Sequence, residues 1–151
     1  MSFDRPKFEA FIESLGLTFF DPYEFLEKGD DHANPKKPGF GKNTDPPEEL
    51  WPNIAATAKA MDELRRRLKC PILFTSVYRS PAYNKAIGGE KNSQHTQFRA
   101  LDFVVRGIST APADWAAELR AIRQEGLFKG GIGTYRSFVH VDTRGTSADW
   151  P

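Results

Sequence analysis

The chain has 151 residues, 21 of them basic and 20 acidic, for a net charge of +1. That length fits one domain with a buried core, and the near-neutral balance leaves no electrostatic footprint for nucleic acid. The single cysteine, Cys70, excludes an internal disulfide and any cysteine-rich metal site. It precedes Pro71 at the edge of an apolar stretch and reads as a buried structural thiol.

The segment from Met1 to Lys7 lacks the apolar core of a signal peptide, and no apolar run reaches membrane-spanning length. The expectation is synthesis in the cytoplasm with no membrane partner, so that any substrate outside the cell requires delivery. Residues 4–15 and 21–27 carry short amphipathic patterns, with Phe8, Phe11, Ile12 and Leu15 on one helical face. From Glu27 to Pro47 the composition turns to Gly, Pro, Asn, Lys and Asp, which predicts a long loop. His32, set among aspartates in that loop, is expected to face solvent.

A strong helix is predicted next, with Asp45 as N-cap, Pro46 in the first turn and Glu48 completing a capping box. Leu50, Ile54, Ala58, Met61, Leu64 and Leu68 form its core-facing stripe. The run Arg65-Arg66-Arg67 reads as a solvated helix face. Residues 72–77 form a buried strand, a short helix through Tyr83 to Ile87 ends at Gly88-Gly89, and residues 100–105 form a second strand. Residues 111–125 are helical, with Trp115, Leu119 and Ile122 inward. Residues 130–135 and 138–143 form a closing hairpin. The fold class is α+β, a small and mostly antiparallel sheet flanked by helices. The chain is a single domain in which residues 1–45 pack on a core of 46–151.

Strand parity brings out the chemistry. Asp102 shares a strand face with Ala100 and Val104, while His140 shares one with Phe138 and Asp142. Each strand therefore puts metal-ligand side chains among apolar neighbours, where an unpaired carboxylate is costly. His95 lies in the loop entering the first of these strands. Two imidazoles and a carboxylate with one position open are what a catalytic zinc ion needs, and imidazoles suit zinc better than magnesium or calcium.

Three segments carry a resemblance: Ser76-Val77-Tyr78-Arg79-Ser80-Pro81-Ala82-Tyr83-Asn84, Ser93-Gln94-His95 through Asp102, and Gly130 through Asp142. Together they resemble the zinc D-Ala-D-Ala carboxypeptidase family, which groups with the lysostaphin-type and hedgehog-type metal folds. The resemblance runs from about residue 46 to the C-terminus. It implies a peptidoglycan-directed peptidase of D,D- or L,D-type in which His95, Asp102 and His140 hold one zinc ion. It also implies that Arg79 binds substrate or steadies the oxyanion, and that Ser93 opens the SxHxxGxAxD pattern and lines the site. Tyr78 joins these substrate-side residues, although Tyr78 and Tyr135 read more simply as packing residues beside the cleft. Small domains of this kind without a signal peptide are common among phage lysis and virion proteins, which suggests an endolysin or virion-associated wall hydrolase that meets phage structural proteins.

Two positions depart from the pattern. Phe98 stands where glycine is expected, so the turn between the ligands must do without glycine's backbone freedom and is bulkier beside the substrate. Ser137 stands three residues before His140, where many relatives carry the general base. Asp142, ~6.5–7 Å from His140 along the strand, is the substitute base, or else the partner that orients the imidazole. The alternative function is non-catalytic, a metal-stapled structural or wall-binding component of a phage particle.

Overall fold

The computed structural model describes residues 2–107 and 109–151. Its helices are α1 (Arg5–Glu13), α2 (Asp30–Ala33), α3 (Ile54–Leu68), α4 (Pro81–Ala86) and α5 (Pro112–Gln124). The strands β1 (Ile72–Ser76), β2 (Ala100–Val105), β3 (Gly131–Thr134), β4 (Val139–Asp142) and β5 (Ala148–Trp150) form one sheet in the order β1-β2-β4-β3-β5. Every neighbouring pair is antiparallel except β3 and β5, which run parallel. The fold is α+β with a mixed, mostly antiparallel sheet. Among the described residues no helix is long and apolar enough to cross a membrane.

The two faces of the sheet do different work. Leu101 and Phe103 of β2, Val139 and Val141 of β4 and Ile132 of β3 are buried in one apolar cluster with Ile54, Met61 and Leu64 of α3 and Trp115, Leu119 and Ile122 of α5. Each such side chain contributes roughly 1.5–3 kcal/mol by leaving water. The opposite face carries Asp102 and His140, so alternation along β2 and β4 delivers the polar set to one side. Asp4 caps α1 by accepting the Lys7 backbone N–H, and the helix buries Phe8 and Ile12. The Phe8 ring meets Trp51 edge-on at 5.1 Å.

Several elements differ from expectation. Asp45 is not an N-cap; its carboxylate pairs with Lys28. Pro47 occupies the cap position of a 3-10 turn, Glu48–Asn53, and the α-helix begins only at Ile54. Pro52 is the physical reason: it lacks the N–H that would continue an α-helical ladder. The 27–47 segment is a structured strap rather than a plain loop. It holds the short α2, and Asn43 within it is buried, donating to the carbonyls of Lys28 and Tyr78 and accepting the Ser80 N–H. His32 is half-buried, its Nδ1 accepting the Asn43 N–H, rather than facing solvent. Arg67 also leaves the solvated face, because Glu63 of its own helix and Glu125 just past α5 draw it into an ion-pair network. Cys70 is half-buried at the edge of the core. The edge strand β5 has no counterpart in the sequence reading.

Phe98 gives the clearest correction. It adopts φ 58°, ψ 41°, the left-handed conformation for which glycine is usually selected, at a cost of roughly 1–2 kcal/mol for a residue with a Cβ. Its ring is fully buried against Phe8 and Tyr78, with centroid separations of 6.2 Å to each. Burial of the ring offsets the backbone cost, and the side chain points into the core rather than obstructing the cleft.

Candidate metal centre

Register across the sheet builds the site. Ser76 of β1 pairs with Asp102 of β2, Asp102 with His140 of β4, His140 with Gly133 of β3, and Gly133 with Trp150 of β5. One row across five strands thus lines up a hydroxyl, a carboxylate, an imidazole, a bare backbone and an indole. His95 joins the row from a 3-10 turn, Gln94–Gln97, capped by Ser93, whose Oγ accepts the His95 N–H. The turn is tied down from behind: the His95 carbonyl accepts the Arg79 N–H, and the Gln97 carbonyl accepts from Asn53.

Each imidazole has an acceptor on its far nitrogen. His95 Nδ1 lies 2.6 Å from the Val77 carbonyl, an acceptor only, so Nδ1 carries the proton and Nε2 offers a lone pair. His140 Nε2 lies 2.8 Å from Asp142 Oδ2; with the ring proton on that nitrogen, Nδ1 is free to ligate. These two lone-pair nitrogens converge on one atom, Asp102 Oδ1, at 3.2 and 3.0 Å. A tetrahedral ion with ligands at ~2.0–2.2 Å separates them by ~3.3–3.6 Å, so a small shift admits it. The three donor atoms lie within 4.8 Å of one another, and all three residues are buried. An N,N,O donor set with its far nitrogens fixed fits zinc.

The three groups also shape one another's charge. Burial pushes the His95 imidazole below its ordinary value, against the pull of Asp102, and keeps it neutral. Burial would raise the Asp102 carboxyl, yet His95 and His140 hold it well below the usual carboxylate range. Burial likewise opposes protonation of His140, but Asp102 on one side and Asp142 on the other raise it.

Asp142 is 0% exposed. Its Oδ1 accepts from the Gly131 and Arg144 backbone N–H groups and from Arg144 Nε, and its Oδ2 accepts from His140 Nε2 and Arg144 Nη2. It lies behind the imidazole and not in the cleft. Arg79 is engaged too, with Nε on Ser76 Oγ, Nη1 on Asn84 Oδ1 and Nη2 on Asp102 Oδ2 at 3.2 Å. Tyr78 is buried on Phe98, as a packing residue is.

A cleft of about 400 Å³ opens over the centre, and Arg79, Ser93, Tyr135, His140, Arg144 and Trp150 are among its lining. A family model described as Peptidase M15 matches residues 27–142, most of the chain. The chain belongs to this family. No curated protein matches it. Membership places it among zinc-dependent metallopeptidases, in keeping with a buried trio that can hold one ion. The M15 match contains His95, Asp102, His140, Arg79 and Asp142, and it ends before Arg144 and Trp150.

Those last two residues line the same cleft and escaped the sequence reading. The Trp150 ring lies 5.2 Å from the His140 ring, its Nε1–H donates to the Tyr135 hydroxyl, and the Arg144 guanidinium lies 5.3 Å over the indole. A signal for them existed in Gly131 and Gly133. These share a strand face, and a Cβ on either would collide with the Trp150 indole.

Proposed function

We propose that the protein hydrolyses an amide bond in peptidoglycan stem or cross-link peptides, with one zinc ion held by His95 Nε2, Asp102 Oδ1 and His140 Nδ1. The observation that carries this is the pair of imidazoles, each turned by an acceptor on its far nitrogen toward the same carboxylate oxygen. Zinc, when bound, supplies the Lewis acidity that acidifies water and polarises a carbonyl.

The chain's own residues do the rest. Arg79, fixed beside Asp102 with N–H groups to spare, faces the negative charge that develops on the scissile carbonyl oxygen. Asp142 keeps the His140 ring in its ligating tautomer. Ser93 holds the turn that presents His95. Cleft-lining groups able to accept or relay a proton, apart from the ligands, include the Glu90 carboxylate and the Tyr135 hydroxyl. Such an enzyme would reach the wall through a phage lysis system or carried in a virion.

The test is an assay of the zinc-loaded protein on purified peptidoglycan, following release of new amino termini with and without chelator. Turnover that persists in metal-free protein overturns the proposal. One observation favours the non-catalytic alternative: Asp142, the expected base, is engaged on both oxygens. Stoichiometric zinc with binding to wall fragments and no turnover would establish that alternative.

A further inference from the structure

We infer that Arg144 binds the C-terminal carboxylate of the substrate peptide, a subsite that rests on the peptidase activity proposed above. Two arginines border the cleft, and their guanidinium groups are differently employed. Arg79 has all three nitrogens bonded to Ser76, Asn84 and Asp102, and only 17% of its side chain is exposed. Arg144 is 31% exposed and lines the same cleft. Its Nε and Nη2 form a fork on the Asp142 carboxylate at 2.9 and 2.7 Å, and Nη1 has no protein partner among the described residues.

Its plane is held as well as its edge. The guanidinium carbon sits over the Trp150 indole, and Trp150 is itself fixed by its bond to Tyr135 and by the absence of side chains at Gly131 and Gly133. A guanidinium clamped at two nitrogens and along one face loses little freedom when a third nitrogen takes a ligand. A cation with a spare donor pair beside a peptide cleft selects a carboxylate.

Position separates this role from oxyanion stabilisation. Asp142 Oδ2 accepts from both His140 Nε2 and Arg144 Nη2, so Arg144 lies beyond the edge of the imidazole that faces away from the ligating Nδ1. It therefore lies to the side of the ligating atoms, where a flanking part of a bound peptide rather than the reacting carbonyl would reach it. A contact away from the reacting carbonyl is made equally in ground and transition states, and so is felt in KM.

The experiment uses the zinc-loaded full chain and two substrates, a wall stem peptide with a free C-terminal carboxylate and the same peptide as its C-terminal amide. The expected result is a preference for the free acid of about tenfold in kcat/KM, expressed through KM. In Arg144→Gln the acid-to-amide ratio falls to near one, and in Arg144→Lys it is intermediate, with zinc content measured for every variant. Equal use of acid and amide by the parent protein overturns the inference. So does an unchanged ratio in both variants that retain zinc. Failure of the zinc-loaded parent to cleave either peptide counts against the peptidase activity instead. Calorimetric binding of the two peptides to the parent and to Arg144→Gln then decides the subsite, and equal binding of acid and amide overturns it.

Discussion

Asp102 and His140 stand directly opposite one another across the β2–β4 pair, and one carboxylate oxygen, Asp102 Oδ1, faces both His140 Nδ1 and His95 Nε2. Two of the three candidate ligands are thus built into an interior strand pairing of the sheet, and the third comes from the capped turn before β2. The protein should bind one equivalent of zinc, and His140→Ala should bind none tightly, as read by metal analysis after dialysis. Free zinc at about 100 times its Kd should stabilise the fold by about 2.7 kcal/mol, seen as a rise in Tm that chelator reverses. Zinc that remains stoichiometric in His140→Ala would rule out this ligand set.

Asp142→Asn separates the two roles open to that residue. If the carboxylate orients His140, zinc affinity measured by chelator competition falls about 10–100-fold, and hydrolysis recovers at saturating zinc. A variant with full zinc affinity and a rate lowered by roughly 10²–10⁴ would instead mark a proton acceptor.

Phe98→Gly tests which force holds the turn. Glycine relieves a left-handed backbone cost of roughly 1–2 kcal/mol but empties a ring-sized space that typically costs about 3–5 kcal/mol. The variant should therefore be less stable by roughly 1–4 kcal/mol in urea denaturation. A gain in stability would show that strain, and not ring burial, dominates at this position.

Gly133→Ala places a methyl group where the Trp150 indole lies. The indole must then leave the His140 ring, giving a changed near-ultraviolet circular dichroism signal and a red-shifted tryptophan emission. The global fold, read by far-ultraviolet dichroism, should persist. An unchanged tryptophan environment would contradict the close approach.

Acid should weaken the ion pairs within α3. Arg66 and then Arg67 hold the Glu63 carboxyl down at about 2, below its ordinary 4.5. A depressed folded-state value means the stabilisation is present above about 4.5 and is lost as pH falls toward about 2. The pair sits at the surface with both side chains partly exposed, so the loss is at most about 1 kcal/mol. Glu63→Gln should lower Tm slightly at pH 7, and the difference from the parent should vanish near pH 2. A difference that stays constant across that range would exclude the ion pair as its source.

Asp102 and His140 were legible as candidate ligands because strand alternation is a strict rule: once residues 100–105 and 138–143 read as strands, both had to lie on the face opposite Leu101, Phe103, Val139 and Val141. Their cross-strand pairing and the approach of His95 depend on register and turn geometry, which a linear pattern leaves open. The early helix start failed for a local reason, Pro52, whose effect within a favourable periodicity was outweighed in the reading. β5 was missed because Ala148–Trp150 is too short to show alternation, and its position depends on Asp149 pairing with Arg120 and Arg123 of α5. Asp142 looked free in sequence because Arg144 and the Gly131 N–H, which occupy it, become its neighbours through the local turn and the β3–β4 pairing.

The left-handed Phe98 also limits how far this turn can be moved as a cassette. Its ring rests on Phe8, near the opposite end of the chain, and on Tyr78, beside the arginine that steadies Asp102. Grafting residues 93–102 into a scaffold without counterparts for both rings would leave the backbone penalty with nothing to offset it. Exchange of the turn between relatives would then require three aromatic positions to be swapped together.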